Sequence, residues 1–353
     1  MPLNPNLLER LVLFRLNKGP APLLDLFGAA SFESVTLAMD MGLFEALEDE
    51  ALAAPALADA VDAHPEGTTR LCDFLAAEGY LARTGRDPPT YRLTGTTERW
   101  LLPGSGTDMG PWLTFWDELV FPFWADQLET AVREGEPTQT IYEWFDEEPE
   151  RWELAQDGFR ATASLLVDDV TDAVTVPDGA DRLLDVGGGH GAYSVGLCRA
   201  YPGLSATVFD VPAAVDAVRD DLPADVADRV RTQAGDYRTD DLGEGYDLAL
   251  VFNVVHAHDP AENVALLERV AEALAPGGRV AVLDQWEGTA RTPVSEAGLQ
   301  FVALTYHTTL GAEVYPPEAV ETWLRDAGFV DVRRTSVGPL SGMALVEARV
   351  AED

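Results

Sequence analysis

Three glycines at every second position, Gly187, Gly189 and Gly191, follow directly on Leu183-Leu184-Asp185-Val186. Two leucines, an acid and a valine read as the end of a buried strand. Glycines at this spacing read as a turn that a ligand approaches closely, because glycine tolerates φ > 0 and carries no side chain. Two cofactor classes use such a turn. Gly187-x-Gly189-x-x-Ala192 satisfies the dinucleotide fingerprint. Asp185 separates the two, since a pyrophosphate there would meet a negative charge and a cation would be attracted. S-adenosylmethionine (SAM) carries a sulfonium and an amino group, and fits.

The downstream acids stand where that cofactor needs acceptors. Asp210 ends the apolar run Ser205–Phe209 and precedes Val211, about 20 residues beyond the glycines, in place to take both ribose hydroxyls. Asp236, in Gly235-Asp236-Tyr237, is placed to accept from an adenine amino group, with Tyr237 packing on the ring. Asn253 closes the next strand at the same cofactor edge, and His256 follows it where ligands sit in such sheets. A neutral imidazole, with a reference pKa of about 6.5, takes up a proton near neutral pH. His256-Ala257-His258-Asp259 also raises a shared metal ligand set, but no other histidine–carboxylate cluster lies nearby in sequence, so no metal is expected.

Elements that would position these residues alternate from residue 181 onward. Strands are expected at 182–186, 205–209, 230–234, 246–253 and 279–284, with helices at 191–200, 212–219 and 261–274. This is a doubly wound parallel sheet. A helix after Pro317 and strands at 329–335 and 343–348 close the chain as an antiparallel pair.

Leu-Leu-Asp-Val-Gly-Gly-Gly-His-Gly, Val-Phe-Asp-Val-Pro, Gly-Asp-Tyr, Val-Val-His and Leu-Ala-Pro-Gly-Gly-Arg-Val, in that order, resemble the SAM-dependent O-methyltransferase family. That family includes plant caffeate and flavonoid enzymes and bacterial antibiotic methyltransferases. The likeness is strongest over 181–284 and weaker before 110. It implies a Rossmann-like SAM-methyltransferase sheet behind an N-terminal helical, winged-helix dimerisation domain. It also implies methyl transfer to a small aromatic or polyketide-like hydroxyl, with His256 as general base. Asp284 and Glu313 match, the latter with a one-residue offset, the acids that stand beside that histidine. Where the family commonly continues His-Asp-Trp, this chain has Ala257-His258, which keeps open a second reading. That reading is a SAM-binding relative that has lost methyl transfer and serves other chemistry or a ligand-responsive regulator.

The 353 residues suggest two parts, 1–105 and 106–353. Residues 24–48 carry apolar positions at helical spacing. Helices at 56–61 and 68–78, then extended runs at 79–84 and 90–94 around Gly85–Pro89, make a helix-turn-helix with a wing. Its second helix offers Arg70 against Glu66, Asp73 and Glu78, so dimerisation is favoured over DNA binding. The aromatic stretch from Trp112 to Phe159 lies between the two parts in sequence, where the family places its acceptor pocket, and Ala163 stands where relatives carry a methionine. Net charge is −37, from 61 acids against 24 bases, and Lys18 is the only lysine. Such a surface repels nucleic acid and anionic membranes and suits a high-salt cytoplasm. Met1–Asn4 opens no signal peptide, and Cys72 and Cys198 sit in apolar helical patterns without disulfide or metal spacing.

Overall fold

A computed structural model describes residues 6–219, 222–337 and 343–352; the opening Met1–Asn4 lies outside the described residues. The chain separates into two compact units, Met1–Asp117 and Glu118–Asp353. Among the described residues no helix is long and apolar enough to cross a membrane.

The first unit runs α1 (Leu7–Arg10), α2 (Leu23–Asp40), β1 (Leu52–Ala53), α3 (Ala54–Ala60), α4 (Pro65–Glu78), β2 (Leu81–Thr84), β3 (Thr90–Leu93), α5 (Gly95–Trp100) and α6 (Gly110–Phe115). The helix expected over 24–48 ends at Asp40. Gly42, at φ 66°, takes the left-handed conformation that a helix cannot continue through, and only a short 3-10 turn follows at Glu45–Leu47. Pro65 at the first position starts α4 and Gly79 at φ 89° stops it. β2 and β3 pair antiparallel, and β1 adds to β3. Val35, Leu43, Phe44, Leu57, Leu75 and Tyr91 form the core of this unit.

The second unit begins with a helical stretch: α7 (Phe121–Glu134), α8 (Ile141–Phe145), α9 (Pro149–Ser164) and α10 (Val167–Ala173). The sheet then alternates as β4 (Arg182–Val186), α11 (Ala192–Ala200), β5 (Ser205–Asp210), α12 (Pro212–Arg219), β6 (Val230–Ala234), β7 (Tyr246–Phe252), α13 (Pro260–Ala273) and β8 (Leu274–Gln285). It ends with α14 (Pro293–Leu310), α15 (Pro317–Asp326), β9 (Phe329–Ser336) and β10 (Met343–Val350). The strand order is β6-β5-β4-β7-β8-β10-β9. β4 to β8 pair in parallel, while β10 lies antiparallel between β8 and β9.

Alternation along the strands divides the core in two. Leu184, Val186, Val251 and Val282 pack with Leu266, Leu267 and Val270 of α13 and Trp323 of α15. Leu183, Val208, Leu250 and Leu345 pack with Leu197 and Cys198 of α11 and Val170 of α10. Ala163 is buried in this second core. The aromatics ahead of the sheet also pack. Tyr142 stacks on Trp152 at 5.7 Å between centroids, and Phe145 meets Trp152 edge-on at 5.5 Å.

Candidate functional site

The carboxyl ends of β4, β5, β7 and β8 carry Asp185, Asp210, Asn253 and Asp284, with His256 just after β7. Asp185 shares the parity of Leu183 and therefore points to the α11 face. It is 1% exposed, and Ser194 of α11 donates to its Oδ2 at 2.7 Å. Burial pushes its carboxyl up to about 7, against the Ser194 bond, with Asp210 adding repulsion. A Cβ at Gly188 would lie 2.5 Å from this carboxyl carbon, so the turn closes over the acid only without a side chain there.

Gly187, Gly189 and Gly191 have φ of 66°, 42° and 66°, all in the region that favours glycine. The Gly187 N–H donates to the Phe209 carbonyl at 2.8 Å, and the Gly189 N–H donates to Asp210 Oδ2 at 2.8 Å. Val211 N–H donates to Asp210 Oδ1 at 2.7 Å. Thus Asp210 is oriented by two backbone donors beside the glycine turn, while burial raises its carboxyl to about 6.

Beyond β6, Tyr237 lies against the turn, 3.6 Å from where a Gly187 Cβ would stand. Its hydroxyl is 2.8 Å from His258 Nε2. Asp236 is differently engaged. Arg238 grips both its oxygens at 3.0 and 2.9 Å and holds the carboxyl below its usual range. Asn253 adopts φ 53° at the end of β7 and donates its N–H to Leu283 O at 2.8 Å, leaving its side chain exposed.

His256 stands on a 3-10 turn, Val255–Ala257, and is 5% exposed. Its Nδ1 lies 2.9 and 3.1 Å from the two oxygens of Asp284, and its backbone N–H reaches the same carboxylate at 3.3 Å. A carboxylate only accepts, so Nδ1 carries a proton toward Asp284, and in the neutral ring Nε2 is the nitrogen with the lone pair. The ring stacks on Tyr306 of α14 with centroids 3.8 Å apart and planes 11° apart. Nε2 has no partner among the described residues. The turn itself is tied down by Asn263 of α13, whose amide donates to Val255 O at 2.9 Å and His258 O at 3.1 Å. Asp259 caps α13, accepting from Ala261 and Glu262 N–H at 2.8 Å each, and Glu262 closes the box on the Asp259 N–H at 3.0 Å.

The two histidines are therefore held apart, His256 by Asp284 and His258 by Tyr237. Burial lowers the pKa of His258. Glu313 does not join them. It is exposed, makes no hydrogen bond to His256, and lines a cavity of about 280 Å³ with Glu287, Leu299, Ala303 and His307. Sequence reasoning missed Ser194, Asn263, Tyr306 and Gln156. The helix that carries Tyr306 had a usable signal in Thr292-Pro293 at its start and Gly311 at its end.

Seven strands with an antiparallel closing pair, and a glycine turn beside a strand-end acid, define an α/β methyltransferase fold. The chain belongs to the O-methyltransferase family: the O-methyltransferase domain matches residues 126–330, and the O-methyltransferase dimerisation domain matches residues 25–103. It is 31% identical over 337 residues to the tetracenomycin polyketide synthesis 8-O-methyl transferase TcmO of Streptomyces glaucescens, covering 91% of this chain and 95% of that protein. It is 30% identical over 306 residues to the 3-hydroxy-5-methyl-1-naphthoate 3-O-methyltransferase of Streptomyces sahachiroi, covering 85% and 86%. Human N-acetylserotonin methyltransferase, solved in complex with SAM, superposes with a TM-score of 0.83 at 23% identity over 99% of this chain and 100% of that chain.

Proposed function

We propose that this chain transfers the methyl group of SAM to a hydroxyl of a small aromatic, polyketide-like molecule, with His256 as general base. The observation that carries the reading is the Asp284–His256 pair. It fixes the Nδ1–H tautomer and directs the basic Nε2 away from its own carboxylate.

The site suits the cofactor. The turn from Gly187 to Gly191 leaves its backbone open to close approach. Asp210 is aimed beside it by Gly189 and Val211, in place to accept from ribose hydroxyls. Tyr237 offers a flat face next to the turn, with its hydroxyl anchored on His258. Asp236 keeps lone pairs free of Arg238 for an adenine amino group, and Asn253 stands exposed at the same edge. When bound, SAM supplies an electrophilic methyl on a sulfonium. Negative charge on Asp210 and at the site floor favours that cation.

The chain's own part is to position and deprotonate the acceptor. Nε2 takes the hydroxyl proton as the oxygen bonds to the methyl carbon and the carbon–sulfur bond breaks, leaving S-adenosylhomocysteine. Asp284 stabilises the imidazolium that results. Tyr306 holds the ring plane, and most of the remaining acceleration comes from alignment. Replacement of the family's Asp-Trp by Ala257-His258 does not loosen His256, since its ring is held by Asp284 and Tyr306, neither of which belongs to that pair. This favours active transfer over a binding-only role. The acceptor class is supported by the names of the two Streptomyces relatives, one of which refers to polyketide synthesis and the other to a hydroxylated naphthoate.

Incubation with SAM and hydroxylated aromatic polyketides, followed by mass spectrometry, tests the reading. A product heavier by one methylene is expected. His256→Ala should lower turnover by roughly 10²–10⁴ while SAM affinity is retained. Full turnover in His256→Ala would remove the base from the scheme, and binding of NAD but not SAM would overturn it altogether.

A further inference from the structure

One buried group near the turn has no protein partner. Gln156, midway along α9, is 3% exposed, and its Oε1 has no hydrogen bond. A buried amide oxygen left without a donor bears its desolvation cost unrelieved, and such groups in native proteins call for an explanation. The direction it faces is given by the glycine turn. A Cβ placed on Gly189 would lie 2.8 Å from Gln156 Oε1 and 3.3 Å from its Nε2. Any side chain at residue 189 would thus abut the amide, and with glycine there the oxygen faces the backbone at the end of β4.

The chemistry of the missing donor follows from the sheet. On the reading above, ribose hydroxyls go to Asp210 at the end of β5, and adenine lies further toward β6. The strand order β6-β5-β4-β7 puts β4 at the point where the winding reverses, which is where ligands lie. The part of the cofactor left to cover β4 is its amino-acid tail. That tail carries one donor group, an α-ammonium, and one acceptor group, a carboxylate. An amide oxygen attracts the first and repels the second. Asp185, beneath the same turn, adds no competing positive charge. We propose that Gln156 receives the α-ammonium of the cofactor's amino-acid tail on its Oε1, and so sets how far the tail sits from the glycine turn. This rests on the assignment of SAM as cofactor.

Calorimetry with S-adenosylhomocysteine and with 5′-methylthioadenosine, which lacks the whole tail, tests it. In Gln156→Leu the Kd for S-adenosylhomocysteine should rise ten- to a hundredfold, while that for methylthioadenosine stays within about twofold, which also reports an intact nucleoside site. Gln156→Glu, which keeps an acceptor of the same reach, should hold S-adenosylhomocysteine at wild-type strength or tighter. Unchanged S-adenosylhomocysteine binding in Gln156→Leu would overturn the proposal. So would an equal loss of both ligands, or a tenfold loss in Gln156→Glu. Failure of the wild-type chain to bind S-adenosylhomocysteine would overturn the cofactor assignment itself.

Discussion

Asp210 is the residue on which pH should act most directly. Burial raises its carboxyl to about 6, so it is partly protonated in mildly acidic solution. A protonated carboxyl offers one acceptor fewer to a ribose diol. Affinity for S-adenosylhomocysteine is therefore expected to rise with pH through about 6, and to be roughly tenfold weaker at pH 5 than at pH 7, following the ionised fraction. Asp210→Asn should flatten that profile and weaken binding by on the order of 1.5–3 kcal/mol. Calorimetry from pH 5 to 8 checks both, and a flat wild-type profile would show that the carboxylate is not the ribose acceptor. The stability of the free protein runs the other way. A folded pKa above the unfolded value means that the folded state binds more protons between them. The contribution of Asp185 and Asp210 is thus fully present below about pH 4 and lost as pH rises toward their folded values of about 7 and 6. Residues of this kind were legible because acids at strand ends follow apolar runs. Gln156 was not, since a glutamine inside a polar helical stretch gives no sign of what it faces.

At the scale of elements, the turn after β7 depends on α13. Asn263 is fully buried and its amide ties two carbonyls that flank His256, Val255 O and His258 O. Asn263→Ala leaves both carbonyls without that donor. Stability should fall by about 1–3 kcal/mol, and turnover should fall about tenfold with S-adenosylhomocysteine affinity nearly unchanged, because the loss moves the base and not the glycine turn. Thermal melting and kcat against Kd would show it; a turnover equal to wild type would mean that Asp284 and Tyr306 position the ring by themselves. The strands of this sheet could be read in the sequence because parallel strands buried on both faces are runs such as Leu248–Val251 and Val280–Leu283. The pairing of His256 with Asp284 was reachable only through family likeness, since 28 residues and a helix separate them. The Tyr306 stack was not reachable, because α14 had not been assigned and no local pattern tells which of its aromatics turns inward. Glu313 was placed by a one-residue offset, and an exposed loop has no periodicity to correct such a slip.

For the whole molecule, charge and apolar surface pull in opposite directions. Along α2, Leu23, Leu26, Ala30 and Leu37 recur at helical spacing and stay exposed, with Leu26 at 62% and Phe27 at 40%. Ser31, Val35, Thr36 and Ala38 of the same helix are buried. Monomers rarely expose such a stripe without use, and it falls within the segment that matches the dimerisation domain, 25–103. A second copy of this chain is its proposed occupant, in a symmetric homodimer. Bringing two chains of net charge −37 together is opposed by repulsion that reaches about 10 Å at 0.1 M salt and about 3 Å at 1 M. Dimerisation should therefore tighten as potassium chloride rises from 0.1 to 2 M, and the thermal midpoint should climb with it. Phe27→Glu removes an apolar side chain and adds a charge on both partners at once. It should weaken the dimer at least a hundredfold at every salt concentration, from about 1.5–3 kcal/mol per lost side chain. Light scattering and sedimentation at micromolar protein measure this. A dimer that loosens with salt would point to ion pairs instead of α2, and a Phe27→Glu chain that dimerises like wild type would move the interface elsewhere.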